Sequence, residues 1–307
     1  MELELERLNV TNETSFDTST LYAVTVPLFI RIVAAVVSLF STTSNILVVL
    51  TVIRYQILHS RTHWYIVNWC LCNVFITASL PYMFDSLGLD LVANGNILCI
   101  WDENVFNFLT WNHIFVAVII IDWYISTFCN QRRCAVRCRN SFKIIISLIW
   151  AMLIILLITT SSLCFSRKSF LLPFVAFEIS YLCIFILLLA IFILRCVKLK
   201  TSSIIVEKNK LELKLAFSYF ITWLPNILVE VFSIVLRQHL SYASISILLF
   251  TSMLVGYSHA NVLLIVLYIT DRNFKVCLNS MFHIKTNDDN KNNIGNKQDL
   301  VEILDQQ

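Results

Sequence analysis

Polar side chains recur inside the most apolar stretches of this 307-residue sequence. Asn45 lies in the first stretch, Asn68 and Asn73 in the second, and Asn107, Asn112 and His113 in the third. Glu178 lies in the fifth, Asn226 in the sixth, and Ser258, His259 and Asn261 in the seventh. A polar group on a helix that crosses lipid is costly, so it faces another helix or a wet cavity. Hydrogen bonding between helices, worth about 0.6 kcal/mol a pair, accounts for any one of them. A polar path through a small transporter or channel, using Glu178, His113 and the asparagines, is the other reading. No Ser-His, paired-Asp or His-Glu-x-x-His arrangement occurs at usable spacing, so an enzyme is not expected. Cys134 and Cys138 among arginines make an incomplete metal ligand set, and no cofactor is implied.

Composition says which elements must hold these residues. Apolar residues make up 58% and charged residues 14%, against about 25% charged in a soluble domain. A soluble fold with those proportions would leave large apolar patches in water. Seven apolar stretches, at 24–53, 63–84, 104–128, 142–163, 170–195, 213–236 and 243–269, are each long enough to span a bilayer. The N-terminus is acidic, so no cleavable signal peptide is expected. No half-length repeat is visible, which weighs against a transporter built from inverted repeats.

Lys and Arg then set the orientation. Eighteen of the 23 fall on one side of the seven stretches and five on the other, which puts the N-terminus outside and the C-terminus in the cytoplasm. Two glycosylation sequons, at Asn9 and Asn12, lie in the segment so placed outside. The expected organisation is an extracellular glycosylated segment over 1–22 and an all-α seven-transmembrane bundle over 23–270. An amphipathic membrane-surface helix over 271–283 and a disordered cytoplasmic tail over 284–307 follow. The expected location is the plasma membrane, with several passes; no nucleic-acid partner is implied.

On those stretches the motifs resemble the rhodopsin-like family of G-protein-coupled receptors. Ser44-Asn45-Ile46-Leu47-Val48 is similar to that family's Gly-Asn-x-x-Val, and Asn68 to Asn73 to its Asn-Leu-x-x-x-Asp, with Pro81 eight residues on. Asp122-Trp123-Tyr124 resembles Asp-Arg-Tyr, and Trp150 stands where the lone fourth-span tryptophan would be. Phe170, Pro173 and Tyr181 follow on span five, and Tyr219 to Pro225 resembles Phe-x-x-Cys-Trp-x-Pro. Tyr268 closes span seven, before Phe274-Lys275 opens the amphipathic helix. The resemblance implies an extracellular ligand, a heterotrimeric G protein as partner, and a switch through Asp122, Trp123, Tyr124, Tyr181 and Tyr268. It also implies a ligand cavity floored by Trp223 above the Pro225 kink, with Val105, Asn226, Glu230 and Tyr257 around it. Tyr181 and Tyr268 are expected to approach each other in an active state, or else to sit as interfacial tyrosines. The resemblance further implies a Cys99–Cys164 disulfide, two free thiols being the alternative, and palmitoylation at Cys277.

Departures from the family pattern carry their own expectations. Trp123 replaces the arginine that bonds its neighbouring acid at rest and the G protein when active, so neither contact forms in the same way. Asn73 replaces the acid of the family's sodium pocket, and with Asn112 at the same level sodium binding should be weak or absent. Leu264 to Tyr268 keeps only the tyrosine of Asn-Pro-x-x-Tyr, which removes the proline break from span seven. A seven-helix protein that keeps the fold without normal coupling, as a decoy, scavenger or partner regulator, therefore stands beside the receptor reading.

Ligand chemistry is bounded more by exclusion. Val105 occupies the span-three position where amine receptors hold an aspartate, and span seven has no lysine for a retinal Schiff base. Asp85, Asp90, Asp102, Glu103 and Glu230 would attract a basic peptide or amine, or they are solvated rim charges. The basic 129–143 and 195–214 segments read as a docking surface or as the positive-inside rule alone.

Overall fold

The computed structural model describes residues 29–86, 95–128, 141–165, 179–191, 211–236 and 242–282, with the side chains of 81–86, 95–103 and several helix ends left aside. The regular elements among them are helices. α1 is Phe29–Arg54, and a single 3-10 turn at Gln56–Leu58 leads to α2, Arg61–Ser86. α3 is Gly95–Phe128 and α4 is Phe142–Phe165; α5 is described over Ile179–Ile191. α6 is Leu211–Leu236, α7 is Tyr242–Tyr257, α8 is His259–Thr270 and α9 is Arg272–Met281.

Five stretches are long and apolar enough to cross a membrane: Phe29–Arg54, Asn104–Ser126, Phe142–Ser162, Leu211–Ser233 and Ile247–Thr270. Arg61, His63, Asn68 and Asn73 lower the mean hydropathy of α2, and α5 is described over too few residues to count. The described residues are all-helical, and five helices able to span make the protein a multi-pass membrane protein. Its outer helices show what surrounds them: on α4, Ile144, Met152, Ile155 and Ile158 are all exposed, as side chains in contact with lipid would be. α3 is the most enclosed, packing against α2, α4 and α6, while α6 packs against α7 and α8.

Local chemistry fixes the helix ends that matter for the site. Ser60 caps α2, its hydroxyl accepting from the His63 amide at 3.3 Å. Asp271 caps α9, accepting from the Asn273 and Phe274 amides at 2.9 and 3.1 Å. The break that the missing proline was expected to remove is present, about two turns earlier in the chain. α7 ends at Tyr257 and Ser258 forms a turn, with its amide shared between the Leu254 and Val255 carbonyls. The Ser258 hydroxyl bonds the Val255 carbonyl at 2.7 Å, and the His259 ring takes the Gly256 carbonyl at 3.0 Å. Side chains thus satisfy the freed backbone groups, and the helix interrupts without a proline.

Candidate functional site

α6 carries Pro225 in its interior. Proline has no N–H and displaces the carbonyl one turn back, so the helix lacks one rung of its hydrogen-bond ladder there. Trp223 is fully buried, its ring 5.4 Å from Tyr257 and 6.5 Å from His259. Gly256 makes that possible: a Cβ at this position would lie 2.9 Å from the indole. Asn226 and Glu230 follow Trp223 at helical spacing on the same face. Asn226 is 1% exposed; its carbonyl oxygen accepts from Ser252 at 3.2 Å and its amide donates to Glu230 Oε1 at 2.7 Å. Glu230 Oε2 is buried without a partner among the described residues. Ser252 and Asn226 therefore aim a carboxylate above the tryptophan. Val105 is buried on α3.

Below Trp223 the asparagines bond one another across helices. Asn112 on α3 donates to Asn73 Oδ1 on α2, and Asn73 Nδ2 lies 2.8 Å from His259 Nε2 on α8. That network assigns the His259 proton to Nδ1, donated to the Gly256 carbonyl. Asn45 does not join it. Its amide bonds the Ser41 carbonyl of its own helix, while Ser44 and Ser41 tie α1 to Asn261 and to the Tyr257 carbonyl. His113 bonds Ser180 at 2.6 Å and meets Tyr181 and Tyr219 edge-on. Glu178, named with His113 for a polar path, lies outside the described residues.

At the other end of α2 three consecutive residues reach three different places. Arg61 Nη1 donates to Asp122 on α3 at 2.6 Å. Thr62 donates to Glu212 Oε1 on α6 at 2.9 Å. His63 Nε2 meets Asp271 at the α8–α9 corner at 3.0 Å, its Nδ1 lying 2.7 Å from the Ser60 hydroxyl. Partial burial opposes ionisation of Asp271, but the His63 bond and the Phe274 and Asn273 amides outweigh it and hold the carboxyl below its ordinary range. Trp123 is 2% exposed and belongs to the apolar core. Tyr124 packs against that core half-buried.

Similarity to known proteins points to one family. Over 123 residues the chain is 37% identical to the alpha-1A adrenergic receptor of Oryctolagus cuniculus. Over 135 residues it is 32% identical to that of Cavia porcellus, and over 124 residues 34% identical to that of Homo sapiens. The chain is related to the rhodopsin-like G-protein-coupled receptors. These matches cover 36–39% of the chain and 26–28% of the relatives, so the chain spans about a quarter of the length of the curated proteins it matches. No family model matches. The relatives are named as receptors, and the chain is similar to them over that part of its length.

Within this family relationship the structure brings together Trp223, Tyr257 and Gly256, joins Asn73 to Asn112, and lines up Asn226 with Glu230. It does not bring Tyr181 to Tyr268. The Tyr181 hydroxyl donates to the Phe220 carbonyl at 3.3 Å, whereas Tyr268 lies under Lys275 Nζ at 5.5 Å. Cys277, expected to be palmitoylated, is 4% exposed and turned inward on α9, and burial followed by the Asp271 charge pushes its thiol up to about 11. The side chains of Cys99 and Cys164, the sequons Asn9 and Asn12, Pro173 and the 129–140 and 192–210 segments lie outside the described residues.

Sequence reasoning missed the links made by the first turn of α2. Arg61 counted there only as a positive charge for orientation, and Glu212, Asp271 and His63 not at all. Asp271 carried a readable signal, an acid two and three residues before amides that need a cap. Thr62 and Glu212 carried none, being 150 residues apart in sequence.

Proposed function

We propose that the chain is a plasma-membrane receptor with seven spans and its N-terminus outside, taking an extracellular ligand between α3, α6 and α7 and acting on a heterotrimeric G protein. Residues 1–22, 23–270, 271–283 and 284–307 have the roles given above, with Asn9 and Asn12 glycosylated and Cys99 bridged to Cys164. α2 and α5 supply the two spans beyond the five. The observation that carries this reading is the Glu230 carboxylate, aimed by Ser252 and Asn226 two turns above a sealed Trp223. Its spare oxygen calls for a donor on the ligand, and the cheapest is a cation.

The relatives' name makes them adrenergic receptors, but Val105 offers no acid on α3. A cationic amine or basic peptide is held here from α6 instead. The neutral Asn73–Asn112–His259 network supports a receptor insensitive to sodium. At the inner face the Arg61–Asp122 pair stands in for the family's resting lock.

The test is a screen of amines and basic peptides on cells, reading G-protein dissociation by energy transfer. An N-terminal tag should first be accessible on intact cells. An active ligand should lose about tenfold or more in potency at Glu230→Gln, the scale of a lost charge-assisted hydrogen bond. Surface protein that binds such a ligand yet activates no G protein would instead make it a decoy or partner regulator.

A further inference from the structure

Between the first turn of α2, the start of described α6 and the α8–α9 corner lies an open cavity of about 290 Å³. Thr62, Glu212, Thr270, Asp271 and Arg272 are among its lining residues. Asp271 is already committed to His63 and to two backbone amides. Glu212 is not. Its Oε1 accepts from Thr62, while Oε2 is shut off from water with no partner among the described residues. That oxygen has no surface open to the cavity, so a donor reaches it only when Glu212 turns away from Thr62, and a cation is the strongest donor to draw it out.

The surroundings narrow the choice. Exposed Arg272 lines the cavity, so its rim favours neutral or acidic chain, while the carboxylate within selects a basic side chain. We propose that the cavity is a docking socket for one arginine or lysine from an otherwise neutral or acidic segment of a cytoplasmic partner protein, with Glu212 as its counter-ion. The polarity is the reverse of what the family resemblance implies, where the receptor supplies the arginine; here Trp123 holds that place and is buried. Seating the cation draws Glu212 from Thr62, so occupancy also loosens the α2–α6 link. This inference rests on reading that end of the bundle as cytoplasmic.

The experiment uses fluorine NMR on the full chain in zwitterionic nanodiscs, with para-trifluoromethylbenzamidine as the cationic probe and para-trifluoromethylbenzamide as its neutral isostere. The amidine should bind about tenfold more tightly than the amide. In a Glu230→Gln background, which removes the other carboxylate proposed to hold a cation, Glu212→Gln should erase that preference, Glu212→Asp should keep part of it, and Thr62→Val should leave it intact or enlarge it. Equal affinities, no binding of either probe, or an unchanged preference in a folded Glu212→Gln protein would each overturn the proposal. The measurement needs no G protein, so absent coupling leaves its result standing, and a failed socket leaves the extracellular-ligand reading untouched.

Discussion

At the scale of single residues, two positions have consequences their residue types alone do not suggest. Trp123 is packed in the core, beside an Asp122 already paired with Arg61. Restoring the family arginine by Trp123→Arg therefore puts a second guanidinium into a space shaped for an indole. Burying a charge without its own partner costs roughly 3–5 kcal/mol, so the variant should melt several degrees lower and should not regain a working switch. A Trp123→Arg protein as stable as wild type in a thermal scan would sink the claim that this site is structural. Gly256 is the second position. A methyl group there meets the Trp223 ring at 2.9 Å, and overpacking of this kind costs about 1–3 kcal/mol. Gly256→Ala should lower the melting temperature and alter Trp223 fluorescence; Trp223→Leu in the same chain should restore much of the stability. If the double variant recovers nothing, the steric account fails.

At the scale of elements, α9 is tied to the bundle by its cap and its inward face. The Asp271 carboxyl has a lowered pKa when folded, so its stabilising effect is fully present above the ordinary carboxylate range and is lost as pH falls through the folded value. Amides at the start of α9 should then stay protected from hydrogen exchange at pH 5–7 and open on acidification below about pH 4. Asp271→Ala should show weak protection already at neutral pH and little change in acid; retained protection there would show that the cap does not hold the corner. Cys277, inward on the same helix with its thiol pushed up to about 11, should resist maleimide until the protein is unfolded and should carry no acyl chain. Rapid labelling of folded protein would put that face outward. The elements themselves were legible, because apolar runs and charged borders survive as local pattern. The α7–α8 break was not: its cause is distributed over Gly256, Ser258 and His259, with Trp223 on another helix, rather than announced by a proline.

At the scale of the whole molecule, what the sequence could not display is which distant polar residues meet. Asn73 and Asn112 were placed at one level by motif position, and they do bond. Arg61, Thr62 and His63 looked like an ordinary loop-to-helix boundary, yet they link α3, α6 and the α8–α9 corner. Adjacent residues on one rigid turn cannot move independently, so these three links should act as a unit that holds α6 against α2. Spin labels at the exposed positions Arg54, at the end of α1, and Lys214 on α6 would report how far α6 stands from the α1–α2 corner in nanodiscs. Thr62→Val with Arg61→Ala should widen the distribution outward by more than the single changes add up to, and should raise ligand-independent G-protein activity if the chain couples. Additive effects would mean three separate surface bonds, each worth about 1 kcal/mol or less. An unchanged distance in the double variant would mean that α6 is held by its packing against α7 and α8, with the turn of α2 merely resting beside it.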